Sequence, residues 1–334
     1  MQTVLYAIIL LFATFLWGYA FYKKDYHPKP LRTLVQIFTV GLFSMIPIFG
    51  YQYLYEHFFP FLAEYQIFTP LINQPVLKGF MAFGFNLVVL VVFFYFISAI
   101  LTGLLTRFKH ETLENIHKSV REGDEPLCFI ATSMLIGMMV FFSSILEGHW
   151  GIALVGASIG SILVLTVMEE YVKHLMVRFV DDKKIEDVDD AMTFSIMVGL
   201  AFAFIETLFY GISSGDMSLI IYRSFLTIPI HLIASGIFGY YYGLAHFAKP
   251  LTRKQKPLHL KLFHHLFTFK RSTVYREEKM VEGLVLATLF HGGCNVLFEL
   301  NLAFLVVPII VAGLFIISNL YKEGHLLYKL IHSH

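Results

Sequence analysis

The residues able to do chemistry are few and oddly placed. Glu169 and Glu170 are adjacent, with Lys173 four residues after the first. Glu206, His231 and His291 follow at wide intervals, and Asn295 lies one helical turn beyond His291. All sit in stretches that are otherwise apolar. An ionisable group inside a membrane span costs ~2.5–3.5 kcal/mol on insertion scales, so each needs a reason to be there. Together they contain what amide hydrolysis requires: a base to activate water, an acid for the leaving amine, and donors for the oxyanion. Two neighbouring carboxylates resist ionising together, so one can hold a proton while the other acts as base. A zinc reading is also open, with Glu206, His231 and His291 as a three-ligand set and one position left for water. No HExxH helix is present, so such a site would not be a standard zincin.

Each residue also has a structural reading. Glu169-Glu170 followed by Lys173 could be an intrahelical ion pair near a span end. Glu206 could cap Arg223, or Arg223 could snorkel outward. A lone membrane histidine is more often a helix–helix hydrogen-bonding group than a ligand. His174 reads as interfacial, and Tyr240, Tyr241 and Tyr242 read as an aromatic belt. The co-occurrence of three carboxylates and two imidazoles at similar depth favours a site.

The elements that must position these groups are helices in a bilayer. The 334-residue chain is 57% hydrophobic and 15% charged, with net charge +1. That balance excludes a soluble enzyme, a disordered chain and a nucleic-acid binder. Cys128 and Cys294 lie in different apolar segments, which argues against a disulfide framework. The fold class is all-α, a polytopic transmembrane helical bundle. With about 20 residues needed per crossing, nine spans are expected: 2–22, 33–55, 79–106, 127–147, 151–179, 191–213, 217–247, 280–299 and 302–321. The proline-broken stretch 58–77 reads as re-entrant, interfacial or a packed loop, and 250–279 as a segment in the headgroup layer or a solvated loop with incidental aromatics. With the N-terminus outside and the C-terminus inside, 22 of the 25 basic residues fall in inside positions. The chain divides into a four-span region 1–148, a core 149–300, and a last span with cytoplasmic tail 301–334.

Rise per residue places the groups at comparable depth. Glu169 and His291 lie ~16 Å, and Glu206 and His231 ~24 Å, from the inner ends of their spans. Spacing adds a stripe to each helix: Glu169 with Lys173, Glu206 with Tyr210, His231 with Ser235, and His291 with Asn295 and Glu299. Lipid cannot satisfy such stripes, so they must face one another or a wet cavity. Gly156, Gly160, Gly236, Gly239 and Gly243 would allow close helix approach.

The motifs carry a resemblance. Glu169-Glu170-Tyr171-Val172-Lys173 reads EExxK, Phe202-Ala203-Phe204-Ile205-Glu206 reads FxxxE, and His291-Gly292-Gly293-Cys294-Asn295 reads HxxxN, with His231 in the span between the last two. One motif per consecutive helix, in this order, resembles the PrsW family of intramembrane proteases. It is similar also to the wider group of CAAX-processing prenyl-protein endopeptidases and bacteriocin-processing proteins. The resemblance covers about residues 150–300. It implies that Glu169 is the water-activating base and that Glu170 positions it or shares its proton. Glu206 and His231 would hold water or a metal, and His291 with Asn295 would stabilise the oxyanion. Lys173 would neutralise a carboxylate, with Tyr210 and Arg223 in support. The implied substrate is a single-span or lipid-anchored membrane protein, such as an anti-sigma factor, cleaved in a bacterial plasma membrane. Zinc-dependent and glutamate-activated mechanisms both remain open. A non-catalytic scaffold or chaperone is the alternative, and a proton-coupled carrier a further one, although its expected repeats and broken helices are not seen.

Overall fold

The computed structural model describes residues 2–46, 48–50, 156–181, 185–253, 258–259, 268–269 and 271–332. Within them the chain is built of helices: α1 (Gln2–Tyr22), α2 (Leu31–Leu42), α3 (Gly156–Asp181), α4 (Val188–Ser214), α5 (Met217–Phe225), α6 (Thr227–His246), α7 (Ala248–Thr252), α8 (Arg271–Glu299) and α9 (Ala303–His332). Two short strands, Leu258–His259 and Thr268–Phe269, pair antiparallel before α8. Two compact units are distinguishable, Met1–Met45 with Glu170–His334, and Ile46–Glu169; the boundary falls within the unbroken α3.

Among the described residues, five helices are long and apolar enough to cross a membrane: Thr3–Tyr22, Val188–Ser214, Met217–His246, Arg271–Glu299 and Ala303–His332. They correspond to five of the nine expected spans. The expected spans 79–106 and 127–147, and the stretch 58–77, lie outside the described residues. Three boundaries differ from expectation. Helix α8 starts at Arg271 rather than near 280, because charged residues such as Glu277, Glu278 and Lys279 prolong a helix as readily as apolar ones. Helix α9 continues to His332, past the expected end at 321, for the same reason. Of the expected span 33–55, α2 occupies only Leu31–Leu42 and closes at Phe43. The segment 250–279, expected along the headgroups, contains the strand pair and the first turns of α8.

Local chemistry explains the ends. Asp187 caps α4, its Oδ1 accepting from Asp190 N at 2.7 Å, and Asp189 and Asp190 occupy the positive first turn. Gly215 ends α4 with φ 66, the left-handed conformation that glycine adopts without strain. Leu226 separates α5 from α6. Pro229, three residues on, has no N–H and crowds the Phe225 carbonyl, so one unbroken helix across this point is disfavoured. The break turns Arg223 and His231 toward a common neighbour, Glu206.

Helices α4 and α6 form the buried centre. Met192, Ile196 and Leu200 of α4 and Ile230, Leu232, Ile233 and Ile237 of α6 pack with Leu10 and Phe21 of α1 and with Val306, Ile317 and Tyr321 of α9. The outward faces of α1 and α9 present Phe12, Phe15, Phe304 and Phe315 unburied, a surface suited to acyl chains. Between apolar helices in lipid, close van der Waals contact replaces the hydrophobic driving force. Gly239 supplies it here: a Cβ at this position would lie 2.8 Å from the Ala191 carbonyl oxygen and 2.8 Å from Met192 Cα. The three tyrosines read as a belt instead pack between helices: Tyr240 and Tyr242 are buried, and Tyr240 donates to Glu323 of α9 at 3.0 Å.

Polar bonds fasten one end of this unit. Thr193 of α4 donates to Asp25 at 2.8 Å and lies 3.0 Å from the Tyr321 hydroxyl, while Lys29 bridges Glu186 at 2.8 Å and Asp190 at 3.0 Å. Burial pushes the Asp25 carboxyl above its ordinary range, partly opposed by the Thr193 bond. Gly239→Ala should destabilise the protein by ~1–3 kcal/mol, the usual cost of overpacking. Gly293→Ala, where an added Cβ meets nothing within 4 Å, should leave stability unchanged or raise it. Thermal unfolding of the two variants in detergent checks the contrast.

Candidate active site

Four helices and the short α5 bring the polar stripes together. Helix α3 carries Glu169, Glu170 and Lys173; α4 carries Glu206, Thr207 and Tyr210; α5 carries Arg223; α6 carries His231; and α8 carries His291 and Asn295. The side chain of Glu170 is 0% exposed. Its Oε1 accepts from Lys173 Nζ at 2.6 Å and from His291 Nδ1 at 2.7 Å. Lys173 Nζ also reaches His231 Nδ1 at 2.9 Å and lies 4.5 Å from the centre of the Phe202 ring. On its other side His231 Nε2 meets Glu206 Oε2 at 2.9 Å, and Arg223 closes on the same oxygen at 2.8 Å. Asn295 Nδ2 stands 3.2 Å from His291 Nε2. The two imidazoles meet edge to face, 4.4 Å between centroids. A single polar chain therefore runs Asn295, His291, Glu170, Lys173, His231, Glu206, Arg223.

The partners assign the tautomers. An ammonium only donates, so His231 Nδ1 accepts from Lys173 and its Nε2–H donates to Glu206. His291 is the reverse, with Nδ1–H donating to Glu170 and Nε2 facing the Asn295 amide. Each imidazole is thus held between a carboxylate and a donor. Carboxylate–histidine pairing of this kind orients histidines that ligate metals, and it serves equally for histidines that hold water. The second oxygen of Glu170 accepts no hydrogen bond among the described residues, so this buried acceptor suits water or a cation.

A metal-capable group is present. Glu169, His231 and His291 each offer one ligand atom, all within 4.8 Å of one another. Nitrogen and carboxylate donors in a set of three suit zinc. Glu206, rather than Glu169, completes the set expected from the sequence; the structure commits Glu206 to Arg223 and His231.

The other expected residues find definite places. Tyr210 is 46% exposed and lies beneath the Arg223 guanidinium, 4.4 Å from its ring centre. Arg223 therefore turns inward to Glu206 rather than snorkelling. His174, read as interfacial, is buried with edge contacts to Phe238 and Tyr242. Glu299 is exposed at the end of α8 and lies apart from the polar chain. Ser235 is buried against Gly199 and also stands outside it. The Phe202 ring, the first residue of FxxxE, lies against Lys173, and one participant carried no signal of its own in the sequence: the Thr207 hydroxyl 3.4 Å from Arg223 Nε.

Helices long and apolar enough to cross a membrane thus enclose a cluster of carboxylates and imidazoles, the makeup of an integral membrane protein with a buried polar centre. The model of the PrsW family of intramembrane metalloproteases matches residues 125–319, and the chain belongs to that family. The chain is similar to protease PrsW of Geobacillus kaustophilus (strain HTA426), 30% identical over 131 residues, which are 37% of this chain and 57% of that protein. It thus spans a little over half of that relative's length. No solved structure matches the chain.

The buried pair sets a prediction. Lys173→Met leaves the Glu170 carboxylate without its ammonium and should destabilise the protein by ~3–5 kcal/mol. Glu170→Gln with Lys173→Met removes both charges and should recover most of that loss. A double-mutant cycle by chemical denaturation in micelles reads the coupling.

Proposed function

We propose that this protein is an intramembrane endopeptidase that hydrolyses a peptide bond of a membrane-anchored protein. The observation that carries the reading is the convergence of Glu169, Glu170, His231 and His291 from three helices within a membrane bundle whose family is one of metalloproteases. Buried ionisable groups are expensive in such a place, and catalysis is the use that justifies them.

Glu169, His231 and His291 would hold the metal, zinc being the ion the donor set suits best. When bound, such an ion supplies Lewis acidity toward water and toward the scissile carbonyl. Glu170 holds His291 in one tautomer through the bond to Nδ1. Asn295 directs its amide at the His291 edge, from where it can reach an oxyanion. Glu206, fixed by Arg223, holds His231 in the opposite tautomer. The same residues would serve a metal-free mechanism with Glu169 as base. The site lies in a bundle that would be oriented with its N-terminus outside and its C-terminus in the cytoplasm of a bacterial cell. The substrate class this suits is a single-span or lipid-anchored protein, an anti-sigma factor among them. A scaffold or chaperone role is the second reading, and it draws on the pairing of Glu170 with Lys173 and Glu206 with Arg223, which packing alone would also need.

Cleavage of a tagged single-span substrate in proteoliposomes tests the proposal. Glu169→Ala and His291→Ala should each lower the rate by at least ~100-fold, the scale of general-base or oxyanion loss. Parental rates in both variants would refute the assignment and favour the scaffold.

A further inference from the structure

The bond between Lys173 and His231 has a consequence for metal loading. A neutral imidazole has one lone pair. The Lys173 ammonium, 2.9 Å from Nδ1, takes that lone pair, and Nε2 must then carry the hydrogen that Glu206 accepts at 2.9 Å. His231 therefore has nothing to give a metal at either nitrogen while Lys173 stays in place. Moving the ring proton to Nδ1 would set N–H against N–H. At His291 the donor facing Nε2 is a neutral amide, that of Asn295 at 3.2 Å, rather than an ammonium. Charge points in the same direction. Lys173 pairs with Glu170 and Arg223 with Glu206, and a divalent cation held next to the Lys173 ammonium is disfavoured by like-charge repulsion.

We propose that Lys173 is an internal competitor for the metal: its ammonium occupies the lone pair of His231, and the ion binds only when that side chain withdraws. The proposal rests on the metallopeptidase reading for the identity of the ligand set, and it concerns affinity rather than turnover. Lys173 is accordingly a positioning residue that switches His231 between holding an ammonium and holding a metal. Its own anchors are the Glu170 carboxylate at 2.6 Å and the Phe202 ring. The competitor is therefore built from the EExxK and FxxxE segments themselves.

The test is metal affinity of the purified full-length chain in detergent micelles, with Zn²⁺ by calorimetry and Co²⁺ by visible absorption. Lys173→Met should bind about ten- to a hundredfold more tightly than the parent, the amount set by losing one hydrogen bond to a charged group. Adding His231→Ala should abolish the gain. Glu170→Gln/Lys173→Met removes the stranded carboxylate and should show the same gain if Lys173→Met alone folds poorly. Equal or weaker binding in both Lys173 variants, or a gain that survives His231→Ala, would overturn the proposal. The peptidase reading fails separately, if Glu169→Ala and His291→Ala still cleave at the parental rate, because the titration needs no cleavage.

Discussion

The polar centre of this protein takes its arrangement from one ammonium. Lys173 Nζ lies 2.6 Å from Glu170 and 2.9 Å from His231, and those two groups orient His291 and Glu206 in turn. An isolated charge among these helices would cost several kcal/mol. In the polar centre Glu170 and Lys173 neutralise each other, and Arg223 neutralises Glu206. The cost of burial becomes positional order, since each partner can be satisfied in only one arrangement.

The packing serves that constraint. Helices α4 and α6 must touch along their length for Glu206 to meet His231, and Gly239 permits it by presenting no side chain to the Ala191 carbonyl. The break at Leu226 lets Arg223 approach Glu206 from a separate short helix. At the other end, the bonds of Asp25 with Thr193 and of Lys29 with Asp190 tie the connection after α1 to the start of α4, which fixes the register of the helix carrying Glu206.

Much of the site was legible in the sequence because burial of charge in apolar stretches is conspicuous. Glu206, His231, His291 and Asn295 could be read as members of facing stripes, and hydrogen bonds join Glu206 to His231 and His291 to Asn295. Partner choice was not legible. Spacing places Lys173 on a face with Glu169, but the ammonium goes to Glu170 at i,i+3, because its reach is decided by Phe202 and His231 on other helices. Glu206 reads as a ligand from its type and depth, and its contacts with Arg223 at 2.8 Å and His231 at 2.9 Å were not readable from spacing. Helix ends were read from apolar content, so α8 and α9 extend past the expected limits where charged helix formers take over. The antiparallel pairing of Leu258–His259 with Thr268–Phe269 had no alternation long enough to announce it.

The tautomers of the two central imidazoles report whether the Lys173 ammonium occupies the His231 lone pair. Solid-state ¹⁵N spectra of histidine-labelled protein in lipid, with His231 and His291 assigned by difference against their alanine variants, would read them. Two neutral rings of opposite tautomer are expected in the metal-free protein, His231 with its hydrogen on Nε2 and His291 with its hydrogen on Nδ1. Two rings of the same tautomer, or a cationic His231, would mean that Lys173 does not occupy the lone pair and that the polar chain is ordered in some other way.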